Sequence, residues 1–116
     1  MARDQRVEPE VELLWQDFHD RVNVTSERLR TWLLTQGSGE ETFTAEPHLD
    51  LPEPGRSILA VLRKRKVDLT DGDIQVMRET IEEIDGLLDD RPEAGATDDD
   101  WRRALLDLGH DPLLER

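Results

Sequence analysis

Several features are absent from this sequence of 116 residues, and each absence excludes a class of protein. There is no cysteine, which excludes disulfide bonds, thiol chemistry and zinc sites built on cysteine. No apolar run approaches the roughly 18 residues that a membrane-spanning helix needs. Residues 1–12 contain no apolar stretch of the kind found in a secretory signal. From length and composition, we expect one soluble, cytoplasmic domain without a membrane segment.

Positive charge is scarce as well. The chain has 15 Lys and Arg residues against 28 Asp and Glu residues, which gives a formal net charge of −13 at pH 7. The summed field of such a molecule opposes non-specific attraction to phosphate backbones and anionic lipids. An acidic surface of this kind also keeps a protein soluble, and that explanation requires no partner.

The apolar residues recur at helical spacing along most of the chain, and no segment alternates with period 2 for long enough to form a strand. The sequence therefore predicts an all-α fold, a single-domain bundle of about five amphipathic helices within residues 1–116. Residues 37–54 are expected to form a long loop, and residues 89–97 a polar linker before the last, short helix. The apolar faces of the five helices are, in order, Val11–Val22, Leu29–Leu33, Ile58–Leu62, Ile74–Leu88 and Trp101–Leu108.

Three threonines carry signals for the start of a helix. Thr25 is a good N-cap for the second helix. Thr70 and Asp73 approximate a capping box at the start of the fourth helix. We expect Thr97 and Asp100 to cap the fifth helix in the same way.

Basic residues are concentrated in one short segment. Residues 54–66 contain five basic residues and no acid, and both lysines of the chain are among them. A basic surface can contact phosphates, because each neutralised phosphate releases counterions. The candidate nucleic-acid-binding residues are therefore Arg56, Arg63, Lys64, Arg65 and Lys66.

The same basic segment has a purely structural interpretation. Residues 63–66 are expected in the last turn of the third helix, where cations offset the partial negative charge of the helix end. Asp68, Asp71 and Asp73 follow at once and would neutralise part of this charge. Both interpretations stay open from the residues alone.

An acidic stretch lies further along the chain. Residues 79–100 contain ten acids and a single base, Arg91. The acids could form a docking surface for a basic partner protein or mimic nucleic acid, or they could simply be a solvated helix face followed by a flexible linker.

No residue pattern supports catalysis or metal binding. The three histidines, His19, His48 and His110, show no metal-ligand spacing such as H-x-x-x-H. No set of nucleophile, base and orienting group can be assembled around them. We therefore expect a non-enzymatic protein without a metal or another cofactor. The three tryptophans lie on apolar helix faces, and core packing is their expected role.

Three blocks of the sequence resemble a known family when taken together. They are ELLWQDFHDRVNVTSERLRTWL, GRSILAVLRKRKVDLTDGDIQVMRETI and the ending WRRALLDLGHDPL. In order and spacing they resemble the small-protein family catalogued as domain of unknown function 3140, over nearly the whole chain. RKRKVDLTDGD and GHDPL are the most specific parts. Members are often labelled DNA-binding proteins, so the resemblance implies association with DNA without assigning a binding residue.

These observations lead to two hypotheses about function. The first is a non-enzymatic, DNA-associated accessory protein whose five basic residues contact the phosphate backbone without specifying sequence. The alternative is a protein-interaction or stress-related module that uses the acidic face of the fourth helix and the 37–54 loop, and does not bind nucleic acid.

Overall fold

Five α-helices make up most of the computed structural model, which describes residues 8–37 and 51–114. No strand occurs in these two ranges, so the predicted all-α fold is confirmed. Most of the predicted 37–54 loop, residues 38–50, lies outside the described residues. The helices are α1 (Pro9–Arg21), α2 (Ser26–Gly37), α3 (Gly55–Leu62), α4 (Asp71–Asp89) and α5 (Asp99–Asp107). Single turns of 3-10 helix are formed by Lys66–Asp68, Gly95–Thr97 and Pro112–Leu114.

Two of the predicted helix caps are confirmed. The Thr25 hydroxyl accepts a hydrogen bond from the backbone N–H of Arg28 at 3.1 Å. Thr70 and Asp73 form a complete capping box, in which the Thr70 hydroxyl accepts the Asp73 N–H at 3.1 Å. The Asp73 carboxylate accepts the Thr70 N–H at 2.9 Å in return. Short polar side chains at these positions thus satisfy backbone donors that have no partner within the helix.

The predicted cap of α5 is wrong by one residue. Asp98 is the N-cap, and its carboxylate accepts the backbone N–H of Trp101 at 3.0 Å. Thr97 instead ends the preceding 3-10 turn, where its hydroxyl donates to the carbonyl of Ala94 at 2.8 Å. Because the Thr97 hydroxyl is bonded within the 3-10 turn, the N-cap is the next residue, Asp98, whose carboxylate accepts a backbone N–H of the helix.

All five helices contribute to one hydrophobic core. The long helix α4 packs against α1, α3 and α5, while α2 packs against α3 and α5. Each large apolar side chain removed from water stabilises the fold by about 1.5–3 kcal/mol. The largest fully buried side chains are Phe18, Leu29, Leu33, Ile58, Val61, Met77, Ile84 and Leu105.

A glycine allows α3 to approach α2 closely. A Cβ atom at Gly55 would lie 2.6 Å from a Leu33 methyl carbon and 3.2 Å from the carbonyl oxygen of Asp107. A larger residue would therefore require the Leu33 side chain or the start of α3 to move.

The segment after α5 is hydrogen-bonded to the end of α1, to the α1–α2 connection and to the start of α2. The Asn23 side chain accepts the backbone N–H of Asp111 at 2.8 Å and donates to its carbonyl at 3.2 Å. Arg28 donates to the buried Asp111 carboxylate at 3.2 Å. The Nδ1 of buried His110 lies 2.6 Å from the carbonyl oxygen of Arg21. A carbonyl can only accept, so this nitrogen carries the proton. We call Asn23, Arg28, His110 and Asp111 the C-terminal clasp.

The conformation of Gly109 makes the C-terminal clasp possible. Its φ of +84° is one that residues with a side chain rarely adopt, and an added Cβ would lie 2.8 Å from Val22.

Gly109→Ala should therefore lower the free energy of unfolding by about 1–3 kcal/mol in urea denaturation. Gly86→Ala is the matched control, because Gly86 lies within α4 with no atom near its would-be Cβ. The control should raise stability by about 0.5–1 kcal/mol. Equal effects of the two changes would contradict this account.

Candidate functional site

The basic residues do not form a basic helix. The α3 helix ends at Leu62, Arg63 is its C-cap, and Lys66 begins the following 3-10 turn. The prediction that residues 63–66 occupy the last helical turn is therefore wrong, and only Arg56 lies within α3. After Leu62, the backbone N–H groups of Arg63 and Lys64 donate to carbonyls three residues back, and Arg65 is extended, with ψ of 152°. This extended residue carries the chain towards the start of α4.

Lys64 is bound to the start of α4. Its Nζ donates to the Asp73 carboxylate at 2.6 Å, and the same carboxylate oxygen accepts the Thr70 N–H. Partial burial alone would raise the pKa of Asp73, but the hydrogen bonds from Lys64 and Thr70 more than offset it. The pKa of Asp73 consequently lies below its ordinary value. One carboxylate thus both caps α4 and neutralises Lys64.

Two further cations of the run have acidic partners. Lys66 forms an ion pair with Glu12 of α1. The Arg65 guanidinium contacts both carboxylate oxygens of Asp68, at 2.8 and 3.4 Å.

Arg56 is also paired, at the other end of α3. Its Nε donates to Glu53 at 3.1 Å, and Glu53 accepts the backbone N–H of Ser57 at 3.0 Å with its second oxygen. Partial burial alone would raise the pKa of Glu53, but hydrogen bonds from Ser57 and Arg56 lower it overall. Glu53 therefore fixes the first turn of α3 as well as the Arg56 side chain.

Arg63 is the exception among the five predicted phosphate contacts. Its side chain is exposed, and it has no ion-pair or hydrogen-bond partner within residues 8–37 and 51–114. The other four candidates each contact a carboxylate of the same chain. A phosphate would have to compete with these carboxylates, which reduces the counterion release that drives binding.

Acidic residues of α4 show the opposite pattern. One side of this helix is exposed, and its acids take part in no ion pair with another described residue. Asp85 is turned elsewhere and binds Arg21 of α1 at 2.8 Å. This contact is the main cause that raises the pKa of Arg21. We define the acidic α4 face as the exposed residues Asp71, Glu79, Glu82, Glu83, Asp89 and Asp90.

The tryptophans contribute to packing, as expected. Trp101 is buried, and its indole N–H donates to the carbonyl of Leu87 at 2.7 Å. Trp32 donates to the Asp107 carboxylate at 2.8 Å. Trp15 is half-buried and packs against the core. Because their rings pack against the core and two of the three indole N–H groups are already bonded, the tryptophans form no platform for stacking bases.

The two histidines in the described residues lie in different environments. His19 is exposed on α1, with Nδ1 3.0 Å from the carbonyl oxygen of Trp15. His110 is buried in the C-terminal clasp. His48 lies outside the described residues. Within the described ranges, no group of three or more potential ligands could hold a metal ion. None of the helices described there is both long and apolar enough to span a bilayer.

Sequence reasoning missed a cluster of arginines between α2 and α5. Arg28, Arg30 and Arg102 line one cavity, although α2 and α5 are far apart in the chain. The spacing of Arg102 and Leu106 on one side of α5 was the only local signal.

The fold and these contacts define a small all-α domain whose basic segment is ion-paired internally. The chain belongs to the family described as "Protein of unknown function (DUF3140)", whose model matches residues 17–106. The resemblance seen in the sequence is thereby confirmed. The matched range includes the basic segment and ends before the GHDPL motif. No curated protein and no solved structure matches the chain.

The ion pair between Lys64 and Asp73 predicts a change in stability with pH. A carboxylate whose pKa is lowered by folding stabilises the protein above its unfolded pKa, and this contribution is lost as pH falls through the folded value. Lys64→Met should therefore lower the free energy of unfolding at pH 7 and reduce the loss of stability as the pH falls below the ordinary aspartate pKa of 3.8.

Urea denaturation at a series of pH values measures both effects. Arg63→Met is the matched control, because this neighbouring cation has no partner in the described residues and its profile should follow the unmodified chain. A Lys64→Met profile parallel to both would show that the contact contributes nothing.

Proposed function

We propose that this chain is a cytoplasmic, non-enzymatic protein-interaction module whose acidic α4 face binds a Lys- or Arg-rich segment of a partner protein. The observation that carries this proposal is the distribution of ionic partners. Four of the five candidate basic residues contact acids of the same chain, whereas the acids of the acidic α4 face have no cation bound to them in the described residues. The charge available to a partner is therefore negative.

The shape of α4 suits an extended basic segment. The helix has 19 residues, which corresponds to a rigid length of about 28 Å. Its opposite side is fixed in the core by Met77 and Ile84, so the acids are held on a stable surface. Complementary charge of this kind steers association and sets the orientation of the partner more than it adds affinity.

DNA association is the second candidate, and one observation favours it. Arg63 is exposed without a partner, and the adjacent Arg65 side chain remains 79 % exposed despite its contact with Asp68. These two residues could reach a phosphate backbone without disturbing the fold. Contacts of this type would position the chain on DNA and would not read its sequence.

A fluorescence-anisotropy titration with a labelled decalysine peptide tests the leading proposal. Glu82→Gln combined with Glu83→Gln should weaken binding at least several-fold at low salt, because both carboxylates lie on the acidic α4 face. The control, Glu8→Gln combined with Glu10→Gln, removes the same charge from exposed positions at the start of α1. It should change the affinity by less than about twofold. Equal losses in both variants would mean that only the net charge matters.

The same titration with a labelled duplex of DNA tests the second candidate. If the chain is only a protein-interaction module, as proposed first, DNA should not bind at moderate salt. If DNA binds through Arg63 and Arg65, log affinity should fall against log salt with a slope of about −2, since each neutralised phosphate contributes about −0.9. Arg63→Glu with Arg65→Glu would then abolish binding, whereas the control, Arg78→Glu with Arg103→Glu at exposed positions of α4 and α5, would not. Lys64 and Lys66 are left unchanged, because altering them would break contacts that join the segment to α4 and α1, whereas the contact of Arg65 with Asp68 is local and exposed.

A further inference from the structure

A cavity of about 520 Å³ lies between α2 and α5, on a part of the surface that the proposed function does not use. Its volume falls within the range of about 300–1,000 Å³ typical of small-molecule sites. Helix α2 supplies Arg28, Arg30, Leu29 and Trp32, and α5 supplies Arg102 and Leu106. The cavity therefore combines guanidinium groups with apolar side chains.

Charge in the cavity is opposite to that of the whole molecule. Three arginines line it, against one carboxylate, Glu27. Arg28 already binds Asp111 of the C-terminal clasp through one nitrogen. The Arg30 side chain has no ion-pair or hydrogen-bond partner in the described ranges. In a chain of net charge −13, a concave site with this excess of positive charge favours an anion.

Arg102 supplies the second, independent observation. Its Nε is buried and has no hydrogen-bond partner, and it is the only such buried side-chain nitrogen or oxygen among the described residues. A buried donor without a partner is destabilising, and more so when the group is charged. A bound anion in the cavity would satisfy this donor with a charge-assisted hydrogen bond if the Arg102 side chain turns its Nε, which is now shielded from solvent, towards the cavity.

The rest of the lining is suited to a short apolar body. Leu29 and Leu106 are buried, so their side chains form part of the cavity floor. The Trp32 indole N–H is already donated to Asp107, which leaves Trp32 to contribute mainly apolar surface. A ligand that carries only charge would leave this surface in contact with water.

We propose that the α2–α5 cavity binds a small organic anion, with a carboxylate or phosphate head at Arg102 and Arg30 and an apolar body against Leu29, Trp32 and Leu106. The cavity is formed by one chain and is independent of the acidic α4 face. Binding of an anion in this cavity can therefore be tested independently of the protein partner proposed above.

Titration of the ¹⁵N-labelled full chain with defined probes tests this inference by NMR. The probes are 3-phenylpropanoate, phenyl phosphate and the uncharged 3-phenylpropanamide. The Trp32 indole N–H signal should shift and saturate with at least one of the two anions, and the amide should bind at least tenfold more weakly. Preference between the anions identifies the head group. No saturation with either anion up to about 10 mM, or equal binding of the amide, would overturn the proposal.

Two adjacent arginines provide matched variants. Arg102→Met keeps an unbranched apolar stem and removes the guanidinium group with its charge, and it should weaken anion binding at least tenfold. Arg103→Met changes the same charge at an exposed neighbouring position and should leave the affinity within about twofold. Unchanged binding by Arg102→Met would overturn the proposal. If this variant does not fold, as judged by its amide spectrum, Arg30→Met replaces it with the same expected loss.

Discussion

The carboxylate of Asp73 connects the parts of this molecule on which the interpretation of its function depends. It completes the capping box with Thr70, so it fixes where the central helix α4 begins. It also binds Lys64 at 2.6 Å, so it fixes the basic segment that follows α3. Because α4 packs against three of the other helices, the first turn of α4 positions both the core and the charged surface.

Most basic residues of this segment are held in ion pairs, whereas the acids of the acidic α4 face point into solvent. Basic residues of the segment 56–66 mostly face acids of the same chain, which lie on α1, on α4 or within a few positions in sequence. The acidic α4 face is solvated instead. A surface ion pair contributes only about 0–1 kcal/mol, so these contacts do not hold the fold together. They do determine which sign of charge a partner meets, and this supports binding of a basic protein segment over binding of DNA.

The features that the sequence predicts correctly are those set by neighbouring residues. The apolar spacing predicts the five helices, and the Thr25 and Thr70 caps depend on residues three positions away. Contacts between distant residues have no such signal. Lys66 is 54 positions from Glu12, and Asn23 is 88 positions from Asp111, so these pairs emerge only when the helices pack. The basic segment was predicted in a helix because the cations of residues 63–66 suit a helix end, and no local pattern signals that Lys66 will lie beside Glu12 of α1.

The role of Asp73 can be measured directly by following its side-chain carboxyl ¹³C signal as a function of pH. The account predicts an apparent pKa below the 3.8 of an unperturbed aspartate in the unmodified chain. In Lys64→Met the value should rise, because the hydrogen bond from Lys64 is one of the main causes that lower it. An ordinary value that does not change in the variant would contradict the account, because Lys64 would then be available to an external phosphate.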